Sequence, residues 1–151
     1  MDIRIKGLDD VTGNLDSFSQ NVQVELKDAL DISLRDMQEY ARENHRFITR
    51  TGEAEKSIET VASYGTNFKG VVGTTREITV YLHTGTDRHT IVPRLKQSLR
   101  FVKGNKFKFA KRVNHPGTKE DPFIYNALEH SRSDIISRFE NAIINAIKEM
   151  G

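Results

Sequence analysis

The chain has 151 residues, 36% of them hydrophobic and 29% charged, which is the length and composition of a single globular domain with a sizeable core. It contains no cysteine, so disulfide bonds, thiolate zinc sites and a cysteine nucleophile are excluded. The N-terminus lacks the apolar run of a signal peptide and no stretch approaches the ~18 apolar residues of a membrane span, so we expect a soluble protein made in a reducing cytoplasm, with no membrane contact.

The net charge of +2 is unevenly distributed along the chain. Residues 1–43 carry ten acidic and five basic side chains, whereas residues 88–119 carry ten basic and no acidic ones. The basic segment has three interpretations: a solvated loop and edge hairpin, a surface that docks on the acidic helix of a neighbouring copy, or a contact with nucleic acid. The sequence leaves all three open.

The N-terminal part predicts a short strand and then a long helix. Ile3 and Ile5 alternate with polar residues over 2–6, the pattern of a half-buried strand. From about Leu15 to Ile48, apolar residues recur at steps of three and four, with no glycine or proline to interrupt a helix. We expect Thr51-Gly52 to end this helix, because a glycine just after a helix adopts a left-handed conformation at little cost.

The middle of the chain predicts β-strands. Three runs rich in Val, Ile, Thr and Tyr are separated by glycine and asparagine, and they cover residues 57–64, 70–73 and 78–83. Gly65-Thr66-Asn67 is predicted as a hairpin turn. In the third run, strand alternation predicts that Ile78, Val80 and Leu82 face the core.

Residues 84–112 predict a long basic excursion. Polar residues dominate 84–97, where we expect a loop with a brief extended piece. Two strands, 99–102 and 107–113, then flank Gly104-Asn105 and predict a hairpin. Phe107 and Phe109 alternate with basic residues, so the hairpin has one apolar and one basic face, and we expect the apolar face to point into the core.

The segment from Arg112 to Phe123 predicts the change from β-structure to the last helix. Pro116-Gly117 fits the two central positions of a type II turn, and His115 is expected to hydrogen-bond within this turn or toward a neighbour. Asp121 is predicted as the N-cap of the helix and Pro122 as its first residue. Apolar residues then recur at helical steps over about 122–150.

Together these elements predict an α+β fold. A long N-terminal and a long C-terminal helix should pack on one face of an antiparallel β-sheet. No internal repeat or low-complexity tract divides the chain, so we expect a single domain over residues 1–151.

No pattern of catalytic or metal-binding residues accompanies this fold. None of the five histidines has the spacing that fixes two metal ligands on one helix face. A Gly-x-Ser-x-Gly nucleophile motif and a phosphate-binding glycine loop are absent, and Glu53 and Glu55 point to different faces of a helix. We therefore expect no enzymatic activity, no cofactor and no metal.

Three short motifs carry a resemblance to a known family. They are Arg50-Thr51-Gly52 followed by Ser57-Ile58, Val80-Tyr81 leading to Gly85-Thr86, and the run Val113 to Phe123 with its His-Pro-Gly-Thr-Lys and Pro-Phe. In this order and spacing the chain resembles the small head–tail connector (neck or tail-completion) proteins of long-tailed bacteriophages, over roughly residues 15–147. Two positions depart from the pattern, with Ala54 where a leucine is common and His83 where an acid is usual.

The resemblance implies a non-enzymatic structural protein of a phage virion, made in the bacterial host cytoplasm. It would form a ring in the neck or at the top of the tail and join head to tail. Its partners would be copies of itself, in a six- or twelve-fold ring, and adjacent neck and tail proteins, with transient proximity to packaged DNA. The structural and interface residues, including basic residues of the hairpin, would be Thr51, Gly52, Gly85, Thr86, Arg100, Lys108, Lys111, Arg112, His115, Pro116, Gly117, Thr118, Lys119, Pro122 and Phe123.

The residues also suggest how such a ring would assemble. The basic segment 88–119 would meet the acidic helix face of a neighbour around Asp28, Asp31, Asp36 and Glu39, with charge setting the register. The alternative is a small nucleic-acid-binding protein that uses the basic hairpin 100–112. In that case Phe107 and Phe109 would be exposed and stack on bases.

Overall fold

The structure, a computed structural model, describes residues 8–64 and 67–148. In chain order the elements are α1 (Leu8–Glu43), α2 (Glu53–Lys56), β1 (Ile58–Ser63), β2 (Lys69–Thr74), α3 (Glu77–Thr84), β3 (His89–Ile91), β4 (Leu99–Lys103), β5 (Lys106–Ala110), β6 (Val113–His115) and α4 (Phe123–Lys148). The predicted α+β class, with a long helix toward each end, is confirmed. The predicted strand over 2–6 and the first two residues of the predicted turn at 65–67 lie outside the described residues.

Helices α1 and α4 pack against each other and run antiparallel. Tyr40 of α1 stacks on His130 of α4, with ring centroids 4.0 Å apart. Two turns further along α4, Arg138 donates hydrogen bonds to Ser33 (3.0 Å) and Asp36 (2.7 Å) of α1. Residues later in α4 thus contact residues earlier in α1, as two antiparallel helices require.

The hydrophobic core lies where these helices meet the first strand. Ile58 and Phe123 are fully buried, together with Ala41 and Ala127. The carbonyl of Ile58, at the start of β1, accepts a hydrogen bond of 2.7 Å from Arg42 of α1. This bond satisfies a backbone acceptor at the edge of the core and ties β1 to α1.

The described strands form three antiparallel pairs: β1 with β2, β3 with β6, and β4 with β5. The β1–β2 hairpin packs on α1, where Gly70 lies so close to Leu34 that a Cβ atom on residue 70 would be 2.7 Å from its Cδ2 atom. The antiparallel pairing agrees with the sequence, but the described strands form three separate two-stranded sheets where a single sheet was predicted.

Helix α1 ends at Glu43, earlier than the predicted end near Ile48. The reason is a tertiary contact, since the carboxylate of Asp121 accepts hydrogen bonds from the backbone N–H groups of Arg46 (2.5 Å) and Phe47 (3.3 Å). These are the donors that one more helical turn would have used. Gly52 does adopt the expected left-handed conformation, with φ at 71°, but it precedes α2 rather than ending α1.

The same contact corrects the predicted role of Asp121. Its carboxylate does not cap α4 but accepts from the segment after α1, including the side chain of Arg46 at 3.2 Å. The N–H group of Asp121 donates to the carbonyls of Leu82 and His83 at the end of α3, both at 3.2 Å. Helix α4 begins at Phe123, one residue after the predicted Pro122. One buried residue therefore joins three separate parts of the chain.

The predicted strand over 78–83 is wrong, because this segment forms helix α3. The N–H groups of Thr79 and Val80 donate to the carbonyl of Arg76, at 3.0 and 3.1 Å, which starts the helix. Ile78 and Val80 consequently point outward and are 55% and 41% exposed, where strand alternation placed them in the core.

A buried hydroxyl cluster explains why the helix is favoured over the strand. Thr79 is fully buried, and its hydroxyl lies 2.8 Å from the hydroxyl of Ser57, which in turn lies 2.9 Å from that of Thr74. The cluster satisfies three polar groups at once. The helical turn is what directs Thr79 inward, so tertiary hydrogen bonding overrides the β-propensity of the segment.

We predict that replacing Asp121 with asparagine lowers the free energy of unfolding by about 1–3 kcal/mol, because the amide keeps the size but presents an N–H group to donors. Urea unfolding at neutral pH measures this change. Asp134→Asn, at an exposed position of α4, is the matched control and should cost less than ~0.5 kcal/mol. Equal losses for the two variants would contradict the joining role of Asp121.

Candidate functional site

Two of the three sequence motifs pair directly with each other. Thr86 and Thr118 form an isolated antiparallel bridge, with the Thr86 N–H 2.9 Å from the Thr118 carbonyl and the Thr118 N–H 3.0 Å from the Thr86 carbonyl. The Thr118 N–H also lies 3.0 Å from the Thr86 hydroxyl. We call this contact, formed by residues 84–88 and 115–120, the motif junction.

Glycine is required at two positions of the motif junction. Gly117 has φ of 92°, and a Cβ atom there would lie 2.3 Å from the carbonyl oxygen of Thr86. Gly85 has φ of 74°, and its Cβ would lie 2.8 Å from the backbone of Thr118 and Glu120. Both residues combine a left-handed backbone with a contact too close for any side chain, so the two loops are locked together.

His115 lies inside the motif junction, as predicted for its own turn. Its Nδ1 atom accepts a hydrogen bond of 3.1 Å from the N–H group of Gly117. On its other side the ring stacks on His89, with centroids 5.0 Å apart, across the short β3–β6 pair. One ring nitrogen of His115 is therefore used within its own turn, and the ring is packed on His89.

The remaining motif, at residues 50–58, lies against the same junction. Thr51 and Gly52 line an open cleft of about 590 Å³ together with Thr118. The apolar part of the cleft wall includes Ile48 and Ile78, which are 84% and 55% exposed. All three motifs thus meet in one region, although they are distant in the sequence.

One carboxylate at this cleft is held by its neighbours. Glu55 accepts a hydrogen bond from the Thr49 hydroxyl and lies 3.4 Å from Nε2 of His45. Burial acts to raise its pKa, but hydrogen bonds from Thr49 and from the Glu55 backbone, together with the charge of His45, outweigh burial and lower the pKa. These contacts favour the charged form of Glu55 at the edge of the cleft.

The run Val113 to Phe123 ends in the core below the junction, where Phe123 is fully buried and Pro122 is half-buried. The Phe123 ring meets the rings of Phe47 and His83 edge-on, at centroid distances of 5.4 and 5.1 Å. His83 is half-buried, and its Nδ1 atom has no hydrogen-bond partner in the described part of the chain. Burial lowers the pKa of His83, and the nearby Asp121 carboxylate offsets this effect only in part.

The β4–β5 hairpin has two unlike faces, as predicted, but its apolar face is not buried. Strand pairing sets Arg100 opposite Phe109 and Val102 opposite Phe107, so these four side chains share one face. Val102, Phe107 and Phe109 are 64%, 62% and 66% exposed, which makes the predicted core position of the phenylalanines wrong. Strand alternation separates two faces but does not tell which of them meets the core.

The opposite face of the hairpin is basic. Phe101 pairs with Lys108, and Lys106 lies two residues before Lys108 on the same strand, so both lysines lie on the other side from Phe107 and Phe109. Arg100 is the basic residue of the apolar face, and its guanidinium lies 4.8 Å from the centre of the Phe107 ring. The predicted interface residues Arg100, Lys108, Lys111, Arg112 and Lys119 are all exposed.

The acidic face expected on α1 is smaller than the sequence suggests. Asp31 pairs with Lys27 at 3.1 Å and accepts from the Tyr64 hydroxyl, which lowers the pKa of Asp31. Asp36 is bound to Arg138. Of these four acids, all within the described residues, Asp28 and Glu39 are exposed and form no ion pair, so their charges face solvent.

Within the described residues, no group of three His, Cys, Asp or Glu side chains is arranged to hold a metal ion. None of the described helices combines the length and the apolar character needed to cross a bilayer. Comparison with protein-family models, with curated proteins and with solved structures found no match to this chain.

Sequence reasoning found the three motifs but missed the contacts that connect them. The bond from Arg46 to Asp121 joins residues 75 positions apart, and the Ser57–Thr79 bond joins two hydroxyls in different elements. Neither has a local pattern. The sequence signal nearest to these contacts is Asp-Pro-Phe at 121–123, where an acid precedes an apolar residue. This pattern is equally typical of the start of a helix.

We predict that Gly117→Ala destabilises the protein more than Gly104→Ala, by about 1–3 kcal/mol. Both glycines have positive φ, at 92° and 62°, but a Cβ at residue 104 meets nothing within 4 Å, whereas at residue 117 it strikes the Thr86 carbonyl. Urea unfolding gives the loss of stability, and hydrogen exchange of the Thr86 and Thr118 amides reports opening of the junction. Equal losses of stability for the two variants, with unchanged hydrogen exchange at Thr86 and Thr118, would show that the close contact at Gly117 does not determine the stability of the junction.

We also predict a pH effect from His83. The unfolded chain binds a proton at this residue near pH 6.5, whereas the folded chain, with its lowered pKa, binds it only at lower pH. The unfolded state therefore holds more protons in this window, and stability must fall as pH decreases below about 6.5. His83→Leu should show a shallower loss of stability between about pH 7 and 5 in the same urea titrations. Parallel curves for the two proteins would exclude His83 as the cause.

Proposed function

We propose that this protein is a non-enzymatic structural component of a phage virion, which forms a ring in the neck or at the top of the tail and joins head to tail. Its partners are copies of itself and the neck and tail proteins next to it. The single observation that carries the proposal is the exposed apolar face of the β4–β5 hairpin, because a self-assembling protein must present such a surface before assembly.

The motif junction supports a structural rather than a catalytic reading of the motifs. Gly85, Thr86, Gly117 and Thr118 act through backbone contacts, and His115 is occupied by its own turn. No side chain of the motifs is held free near a nucleophile or base. Residues with these properties fix the position of the two loops of the motif junction relative to each other.

The hairpin supports an assembly role on energetic grounds. An isolated two-stranded hairpin is at best marginally stable in water. Here the apolar side chains Val102, Phe107 and Phe109 remain mostly in solvent, although burying one large apolar side chain stabilises by about 1.5–3 kcal/mol. Because these side chains are not buried within their own chain, this stabilisation is gained only by contact with another molecule, which favours a binding role.

One observation favours the second candidate, a nucleic-acid-binding protein. Phe101, which is 39% exposed, shares the basic face with Lys106 and Lys108, and an exposed ring among lysines is the arrangement that single strands use for stacking. Against it, the two most exposed rings, Phe107 and Phe109, lie on the face with a single basic residue. A nucleic-acid binder retains oligonucleotide at low salt and loses it steeply as salt rises, whereas a connector binds little at either salt concentration.

We predict that the purified protein self-associates, and that Phe107→Ser combined with Phe109→Ser weakens the association at least about tenfold, since each tenfold step needs only ~1.4 kcal/mol. Sedimentation over a range of protein concentrations measures the association, and electron microscopy shows whether the assembly is a ring. When phage is produced with the double variant, heads and tails should accumulate unjoined.

Val61→Ser is the matched control, because Val61 is 67% exposed on β1 and loses the same kind of apolar surface. It should leave association unchanged. Reversal of Lys108 and Lys111 to glutamate should have a smaller effect than the phenylalanine changes, as exposed ion pairs contribute about 0–1 kcal/mol each. A wild-type protein that stays monomeric at all concentrations, and virions that lack the protein, would overturn the proposal.

A further inference from the structure

An apolar groove lies between α1, α4 and β2, away from the motif junction. It has a volume of about 320 Å³, and none of its lining side chains is charged. Leu30, Leu34 and Met37 of α1 form one wall, Ile124 and Leu128 of α4 the other, and Val72 of β2 the floor. Leu128 is 44% exposed at its rim.

The size of this groove suits aromatic side chains. A closed apolar cavity of about 150 Å³ is sufficient to bind benzene, so an open groove of twice that volume has room for about two phenyl rings. The apolar face of the hairpin presents two such rings, Phe107 and Phe109, on alternate residues of one strand. The chain therefore carries both a pair of exposed rings and an unfilled apolar receptor.

The two elements that would meet carry opposite net charge. Arg100 is the basic residue on the apolar face of the hairpin, and the segment 88–119 contains no acid. Helix α1 carries six acidic and three basic residues from residue 19 to its end, and its exposed Asp28 and Glu39 lie on the side of the helix turned away from the groove-lining Leu30, Leu34 and Met37. Long-range attraction between the two elements speeds their encounter, while the apolar contact supplies the affinity and the orientation.

Segregation of the hairpin faces argues for a protein occupant of this groove rather than for nucleic acid as the partner of the apolar face. A nucleic acid needs rings and cations on the same surface, so that bases stack while phosphates are neutralised. The hairpin instead separates Phe107 and Phe109 from its lysines. An uncharged, apolar groove is the surface that matches this distribution.

We infer that the β4–β5 hairpin of one copy inserts Phe107 and Phe109 into the α1–α4–β2 groove of a second copy. This inference rests on the proposed ring and names the two surfaces that meet in it. The contact is heterologous, since the hairpin and the groove are different parts of the chain, and each copy retains a free groove and a free hairpin for further copies.

The area involved is consistent with reversible assembly. Phe107 and Phe109 are 62% and 66% exposed, so burying what remains of the two rings removes about 200–300 Å² from water, compared with ~800 Å² per partner in a standard interface. The two rings alone therefore supply a minority of one side of such an interface, as in a weak, transient contact. We expect a contact that forms at high local concentration and is reinforced by closure of the ring.

Engineered disulfides test the contact directly, because the chain has no cysteine of its own. Val102→Cys lies on the apolar face of the hairpin and leaves both rings in place, and Leu128→Cys lies at the rim of the groove. The two single variants, one with a mass tag, are mixed under mild oxidation. We expect a mixed disulfide dimer at a yield at least about tenfold above that of the control pairs, because a disulfide needs Cβ atoms within about 4.5 Å.

Two controls match the chemistry of the pair. Lys106→Cys lies on the opposite face of the same hairpin, and Val61→Cys is a similarly exposed apolar position on β1. Mixed with Leu128→Cys and Val102→Cys respectively, each should give only background dimer. A double variant, Val102→Cys with Leu128→Cys, should cross-link between chains at concentrations where the protein associates. On dilution it should not cross-link within one chain.

The possible results separate the two proposals. Association of the wild-type protein with cross-linking no higher than the controls would overturn the hairpin-in-groove contact and leave the ring intact. Cross-linking within one chain of the double variant would show that the hairpin covers its own groove, which also overturns the inference. Absence of both association and cross-linking would reject the ring together with it.

Discussion

Asp121 is 4% exposed, and its carboxylate accepts hydrogen bonds from the backbone N–H groups of Arg46 and Phe47, while the Asp121 N–H donates to the carbonyls of Leu82 and His83 at the end of α3. A buried carboxylate is tolerated only when hydrogen bonds replace those that it made to water. Loss of any one of these bonds would therefore leave a buried charged oxygen unsatisfied, at a cost in free energy of folding. The result is that the end of α1, the end of α3 and the start of α4 meet at one fixed point. Both the core around Phe123 and the loops of the motif junction depend on that point.

The parts of the fold that follow from local pattern were predictable. The two long helices are periodic over many turns, and the hairpin is marked by Gly104-Asn105 between alternating strands. The end of α1 and the helical state of α3 were not, because each is decided by a partner far along the chain: Asp121 for α1, and Ser57 for Thr79 of α3. The local preference for helix or strand is overridden where only another backbone conformation lets a buried polar group form its hydrogen bond.

The candidate site divides in the same way. The glycine-containing motifs were recognisable, and the turn-internal bond of His115 was expected from its position. That the motifs converge beside one cleft could not be read from the sequence, since convergence is a property of the tertiary structure. The hairpin marks the limit most clearly. Alternation correctly predicted that Phe107 and Phe109 share a face, and it could not say that this face is turned away from the core.

The motif junction and the hairpin have complementary mechanical roles in the proposed assembly. A heterologous contact repeated from copy to copy closes into a ring only if the rotation between copies is constant, and otherwise extends into a filament. That rotation depends on the angle at which the hairpin leaves the body. Gly85 and Gly117, each in a left-handed conformation against backbone atoms, lock the loops from which the hairpin segment departs and returns. In that assembly, Gly85 and Gly117 would matter less for binding a neighbour than for holding the hairpin at the one angle that lets the ring close.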